Sequence, residues 1–245
     1  MKRLRVFAGP NGSGKSTLYN FLLEKKSFTP YYYINPDEIT NNVRHGFVLS
    51  EWPIGFSEPE LLTYLHNSPF SLKAGVSLAE LCNIDKSLLF YTGTNQCISY
   101  FGAALSSYLR YKMLNSDSSF SFESVFSHPS KIEELISAKR KQYKIYLYFI
   151  ATEAPSINTE RVNNRVQLGG HDVTSTLVNE RYYRCLDLMY EAAQISDRVF
   201  FFDNSGNSTQ GTFELFAEKK NNSLFLTSDK VPAWFSAYFL EKHKL

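Results

Sequence analysis

Leu4 to Ala8 form a short apolar run closed by Gly9 and Pro10, the pattern of a buried strand, and the glycine-rich turn after it opens a helical stretch from about Lys15 to Lys25. Tyr31 to Ile34 is a second strand. It ends on Asn35-Pro36-Asp37, where Pro36 suits the first turn of a helix reaching about Val43. From about Gly46 to Gln96 the periodicity loosens: Pro53, Pro59, Pro69, Gly55, Gly75 and Gly93 interrupt short apolar runs such as Ser87 to Tyr91, which reads as an insertion.

Order returns with a helical pattern from about Ile98 to Leu114, a strand at Phe120 to Phe122 ending on Glu123, and a helix over Lys131 to Lys141. Lys144 to Ile150 is apolar enough for a central strand. Pro155 opens a helix that ends near Gly169-Gly170, and a longer helix, roughly Ser175 to Ala193, precedes the most apolar strand, Val199 to Phe202. Five strands alternating with helices predict an α/β fold of P-loop NTPase type: an open, mainly parallel five-stranded sheet with helices on both faces. Thr212 to Ala217 and Leu224 to Thr227, around Lys219-Lys220-Asn221-Asn222, read as a hairpin, and Pro232 opens a last amphipathic helix. The expected organisation is one domain over 1–245, with the insertion at about 46–96, a lid at about 155–175 and the hairpin and helix at about 211–245.

Composition adds boundaries. With 43% hydrophobic residues, 16% aromatics and a formal charge of +2 over 245 residues, the chain carries neither the signature of disorder nor a nucleic-acid footprint. No apolar stretch reaches membrane-spanning length, and the first one is too short for a signal peptide. Cys82, Cys97 and Cys185 share no metal-binding or paired spacing, so a reducing cytoplasm is the expected location.

Gly9-Pro10-Asn11-Gly12-Ser13-Gly14-Lys15-Ser16 matches G-x-x-x-x-G-K-[ST] without a mismatch, a pattern that about one random chain of this length in a hundred carries. Its glycines let backbone N–H groups close around phosphate oxygens, the following helix adds positive potential, and Lys15 reaches the outer phosphates. Ser16 is the expected Mg²⁺ ligand. The position between strand and helix is the one this loop requires. Val199 to Asp203 mimics a Walker B run, yet Asn204-Ser205-Gly206 follows where a second carboxylate would stand, so Asp203 reads first as a turn residue.

Chemistry beyond phosphate binding needs a base and a charge clamp. Asp37, just past the second strand, can accept the proton of an acceptor hydroxyl, although a helix-capping carboxylate would look the same. Glu123 ends the third strand, where an acid suits substrate binding or Mg²⁺ hydration. Arg161 and Arg165 stand one helical turn apart with no acid three or four positions away, and are candidates to clamp a transferring phosphoryl group; a solvated face is the alternative. Arg181 passes the same test, whereas Arg184 has Glu180 and Asp187 within reach. His171 follows Gly169-Gly170 at the expected lid hinge, and Lys139-Arg140-Lys141 reads as a solvated helix end.

Taken in order, Gly9 to Thr17, Asn35 to Ile39, Phe122-Glu123-Ser124-Val125-Phe126-Ser127, Arg161 to Arg165 with Gly169 to Val173, and Phe202 to Gly206 resemble the zeta-toxin family of P-loop kinases. The resemblance spans about 1–45 and 98–206. It implies a kinase using ATP or GTP and Mg²⁺, whose best-known members phosphorylate the sugar of UDP-N-acetylglucosamine. By motif position it makes Asp37 the general base, Glu123 a substrate-binding acid, and Arg161 and Arg165 lid arginines; Ser124 and Arg181 are further substrate-binding candidates. It also implies a small antitoxin-like protein partner. Ser124 stands where many relatives have threonine, and the 46–96 insertion is larger than the family pattern. Two other readings stay open: a P-loop ATPase or switch with Asp203 on the metal, and an insertion that binds a protein partner.

Overall fold

The computed structural model describes residues 1–167, 173–206 and 213–243. In chain order its elements are β1 (Arg3–Ala8), α1 (Lys15–Glu24), β2 (Tyr32–Ile34), α2 (Pro36–Asn42), β3 (Phe47–Val48), α3 (Glu58–His66), α4 (Pro69–Ala74), β4 (Cys82–Asp85), β5 (Leu88–Tyr91) and α5 (Ile98–Leu114). They continue with β6 (Phe120–Ser124), α6 (Ser130–Arg140), β7 (Lys144–Ala151), α7 (Pro155–Gln167), α8 (Ser175–Ile195), β8 (Arg198–Asp203), β9 (Glu214–Lys220) and β10 (Ser223–Leu226). The main sheet has seven strands and is mostly parallel, with helices around it.

Five parallel strands were expected, and β1, β2, β6, β7 and β8 supply them. The count rises to seven because the C-terminal hairpin, β9 and β10, pairs antiparallel onto β8. Without it the apolar Arg198–Asp203 strand would be an exposed edge, a template for unwanted pairing. The first hairpin arm begins at Glu214; Thr212, where it was expected to start, lies outside the described residues, as do Gly169, Gly170 and His171 of the expected lid hinge.

The chain divides into two compact units, 1–31 with 123–245, and 32–122. In the first unit β1 is buried from Leu4 to Ala8 and pairs with β7 in register Arg3↔Lys144 to Ala8↔Phe149. β7 in turn pairs with β8, and all three strands place their carboxyl ends on one side. An aromatic cluster of Phe201, Phe216, Trp234, Phe235 and Phe239 packs the hairpin and the C-terminal helical segment together. That segment starts at Ala233, after Pro232, and carries a π-turn over Ser236–Leu240.

The second unit holds more than the expected insertion. Alongside 46–96 it includes β2, α2 and α5, because α5 is buried along most of its length and packs against α2, α3 and α4. Gly102 of α5 lets the Thr40 side chain of α2 approach so closely that a Cβ would clash. Within 46–96, β3, β5 and β4 form a small antiparallel sheet. No helix among the described residues is long and apolar enough to cross a membrane.

Candidate phosphate-binding site

β1 delivers the chain into the loop Gly9 to Ser16, and three glycines there have positive φ: 157° at Gly9, 73° at Gly12 and 95° at Gly14. Sterics demand glycine as well. A Cβ would lie 2.0 Å from the Ile150 carbonyl oxygen at Gly9, 2.6 Å from that of Asn158 at Gly12, and 2.6 Å from Asn204 Nδ2 at Gly14. The backbone thus runs against β7, α7 and the turn after β8, closer than any side chain permits. Helix α1 starts on Gly14 with no side-chain cap and no acid in its first turn, so its leading N–H groups are not spent on a capping side chain.

Polar groups left in the loop suit an oxyanion. The Ser13 hydroxyl is buried with no hydrogen-bond partner and can donate to such a group, an arrangement that costs free energy unless a ligand completes it; the Asn11 Oδ1, also buried and unpartnered, is an acceptor and would need a donor instead. Pro10 keeps Lys15 on the loop: the ammonium is buried and donates to the Pro10 carbonyl at 2.9 Å. Thr17 is exposed on α1. Beneath the loop, burial pushes the Cys185 thiol far up while the nearby Lys15 ammonium pulls it down, which leaves that cysteine protonated and unreactive at neutral pH.

Ser16 and Glu123, 107 residues apart in sequence, are brought together here. Ser16 Oγ donates to Glu123 Oε2 at 2.7 Å, and Glu123 is buried. A hydroxyl beside a buried carboxylate is an all-oxygen donor pair, the chemistry a hard divalent cation such as Mg²⁺ selects. Among the described residues no cluster of three or more histidine, cysteine or acidic side chains offers an all-protein metal cage, so such an ion would rely on this pair together with nucleotide oxygens and water. Ser124 Oγ accepts from the Phe126 N–H at 3.1 Å, and Phe126 is buried with φ +58°, a conformation rare for a bulky residue.

The α7 arginines have unequal surroundings. Arg161 is half-buried and donates from Nη2 to the Gly206 carbonyl at 3.0 Å, while its Nη1 is buried without a partner. Burial lowers its pKa, against the pull of Asp203 and Glu160. Arg165 is exposed, and Arg181 lies half-buried on α8. Arg184 pairs with Glu180 at 2.8 Å, as its spacing predicts, whereas Lys139 is not merely solvated but pairs with Asp197 at 2.7 Å. Asp203 accepts from Ser205 N–H, Ser205 Oγ and Trp234 Nε1, so its carboxylate is occupied within the turn.

Asp37 belongs to the second unit. It is exposed on the first turn of α2, where the Asn35 side chain caps the helix by accepting from the N–H groups of Asp37 at 2.9 Å and Glu38 at 3.5 Å. Two asparagines shape the loop itself: Asn204, which the sequence places in the turn after β8 without a role, and Asn158, to which it gives none. Asn204 Nδ2 donates to the Ser13 carbonyl at 2.8 Å, and Asn158 Nδ2 to the Asn11 carbonyl at 2.5 Å. Asn158 was detectable in principle: it stands four residues before buried Val162, a polar residue on the apolar stripe of α7.

No family model and no curated protein matches the sequence. Solved structures do match. The AvrRxo1-ORF1:-ORF2 complex with ATP gives a TM-score of 0.57 at 12% identity over 99% of this chain and 63% of that one. The native AvrRxo1-ORF1:-ORF2 complex gives 0.56 at 11% identity over 94% of this chain and 62% of that one. The PezAT chromosomal toxin-antitoxin system of Streptococcus pneumoniae gives 0.47 at 13% identity, over 82% and 67%. The chain therefore spans somewhat less than two thirds of the length of the AvrRxo1-ORF1:-ORF2 chains it matches. The mostly parallel sheet with the glycine loop between β1 and α1 is a P-loop NTPase-type α/β fold. At these identities the likeness to the AvrRxo1-ORF1:-ORF2 structures is one of fold.

Proposed function

We propose that the chain is a nucleotide-dependent phosphotransferase that moves the γ-phosphate of ATP or GTP onto a hydroxyl of a small acceptor. A nucleotide sugar such as UDP-N-acetylglucosamine is the leading acceptor, by the family resemblance. The observation that carries the reading is the Ser16–Glu123 contact at 2.7 Å beside a glycine cradle that holds the unpartnered buried Ser13 hydroxyl. An ATP-bound structure of the same fold supports the nucleotide.

In this reading the loop amides and Lys15 hold the β- and γ-phosphates, and Ser16 with Glu123 forms the Mg²⁺ locus. A bound Mg²⁺ supplies charge neutralisation on the phosphate oxygens. Asp37 takes the proton of the attacking hydroxyl. Arg161 and Arg165 stabilise negative charge on the phosphoryl group in flight, and Arg181 and Ser124 help orient the acceptor. The chain acts in the cytoplasm with an antitoxin-like protein as its partner, the counterpart of complexes formed by its structural neighbours.

Purified protein incubated with γ-labelled ATP, Mg²⁺ and a panel of nucleotide sugars should transfer label to one of them. Free phosphate as the sole labelled product from every acceptor would overturn the assignment and return the chain to the ATPase or switch class.

A further inference from the structure

A cavity of about 490 Å³ opens at the other end of the first unit's strands, lined among others by Lys139, Lys144, Tyr146, Asp197, Arg198 and Lys220. Lys144 pairs in register with Arg3 and Phe149 with Ala8, so the cavity sits at the amino ends of strands whose carboxyl ends carry the phosphate loop. At about 3.3 Å per residue the two sites are roughly 15–20 Å apart along β1.

Four cations face one carboxylate in that lining, in a chain whose whole formal charge is +2. The carboxylate is already engaged: Asp197 pairs with Lys139 at 2.7 Å and accepts the Ile145 N–H at 2.7 Å. Arg198 lies directly opposite Lys220 in the antiparallel β8–β9 pair, a like-charge juxtaposition that costs stability. Arg198 turns to the diagonal Glu218, donating at 2.7 Å, and its Nε remains buried with no partner. Neither Lys144 nor Lys220 has an ion-pair partner among the described residues; Lys144 Nζ lies 5.7 Å from the Tyr146 ring centroid. An arginine beside an opposed lysine on one sheet face, with a third cation on the next strand, is an unmet demand for negative charge inside a concavity of ligand size.

We propose that this cleft is a second anion site, separate from the phosphate loop, which takes a small ligand bearing a diphosphate-like pair of oxyanions between Lys144, Arg198 and Lys220. Tyr146 forms an aromatic wall beside the charges. The site does not depend on phosphotransfer at the loop.

Inorganic pyrophosphate titrated calorimetrically into the full chain at physiological ionic strength should reveal two sites. Lys15→Ala should remove one of them. The double variant Lys144→Glu/Lys220→Glu should remove the other or weaken it at least tenfold, with circular dichroism unchanged; Lys144→Gln/Lys220→Gln, which lacks charge reversal, should weaken it in the same direction. If both double variants bind pyrophosphate with the stoichiometry and affinity of the unmodified chain, or if the only site is the one Lys15→Ala removes, the proposal is wrong.

Discussion

The side-chain amide of Asn158 donates to the main-chain carbonyl of Asn11 at 2.5 Å, tying the first turn of α7 to the phosphate loop. Asn158 is itself held: its Oδ1 accepts from Thr152 Oγ1, and Tyr182 of α8 donates to the Thr152 carbonyl at 2.6 Å. The same helix carries Arg161, which is bonded to Gly206. Loop shape is therefore supported by a polar network of Thr152, Asn158 and Tyr182, and the helix of Asn158 also carries Arg161; a loop preorganised in this way spends less binding energy on ordering itself.

Asn158→Ala removes the donor and leaves the part-buried Asn11 carbonyl without its partner, a loss of about 1 kcal/mol. Asn158→Asp, which preserves shape but cannot donate, should be no better. Urea denaturation with and without ATP checks this: both variants should unfold earlier and bind ATP more weakly. Unchanged midpoint and affinity would remove Asn158 from the loop's support.

Gly12→Ala tests the cradle at a different point. The substitution forces alanine into φ +73°, which costs about 1 kcal/mol or more, and sets its Cβ 2.6 Å from the Asn158 carbonyl oxygen. The loop must shift. Nucleotide titration should show binding largely lost while circular dichroism stays native. Gly55→Ala is the control: nothing lies within 4 Å of its would-be Cβ, and it should behave like the unmodified chain.

The cradle was legible in the sequence because phosphate binding requires those residue types contiguously, between a strand and a helix. Asn158 was legible only as a polar residue on the apolar stripe of α7; what it bonds to was not, since its partner is 147 positions away. The Ser16–Glu123 contact lay half in view: each residue had a reason to face a ligand, but only tertiary folding joins them. Periodicity located α5 at its observed bounds because seventeen residues hold several helical turns. It failed between β3 and β5, where strands of two to four residues complete too few repeats to register. The hairpin's place on β8 was equally hidden, because which edge a hairpin covers depends on partners rather than on its own pattern.

Glu123 separates two roles that share one position. Glu123→Gln keeps size and hydrogen-bonding capacity but removes the charge beside Ser16. A role at the Mg²⁺ locus predicts that the Mg²⁺ concentration for half-maximal transfer rises at least tenfold while ATP binding without Mg²⁺ is unaltered. A role on the acceptor predicts a raised acceptor KM with normal Mg²⁺ dependence. The steady-state measurement that varies each in turn decides.

Acid stability depends on Asp197. Burial raises its pKa, but the Lys139 ammonium and the Ile145 N–H outweigh that and hold the carboxyl below its ordinary value. A depressed folded pKa contributes stability that is fully present above the unfolded value of about 4 and is lost as pH falls through the lower folded value. Asp197→Asn should therefore be less stable than the unmodified chain at pH 7 and lose less on acidification, so that the two denaturation curves converge at low pH. Parallel curves would mean that the ion pair contributes nothing.

Asp37 is the residue on which phosphotransfer, rather than phosphate binding alone, turns. It is exposed at the start of α2, and Asp37→Asn alters a helix N-terminus by at most a few tenths to about 1 kcal/mol, so the fold should persist. Asparagine cannot take a proton from a hydroxyl. Loss of a general base lowers turnover by about 10²–10⁴-fold, and ATP affinity should be unchanged because the cradle does not include this side chain. Lys15→Ala must behave differently, weakening nucleotide binding along with turnover, because its ammonium is part of the loop. Measuring ATP affinity and transfer rate for the two variants side by side tests the division of labour. Normal turnover in Asp37→Asn would transfer the base to another residue, whereas a loss of affinity equal to that of Lys15→Ala would make Asp37 a binding residue.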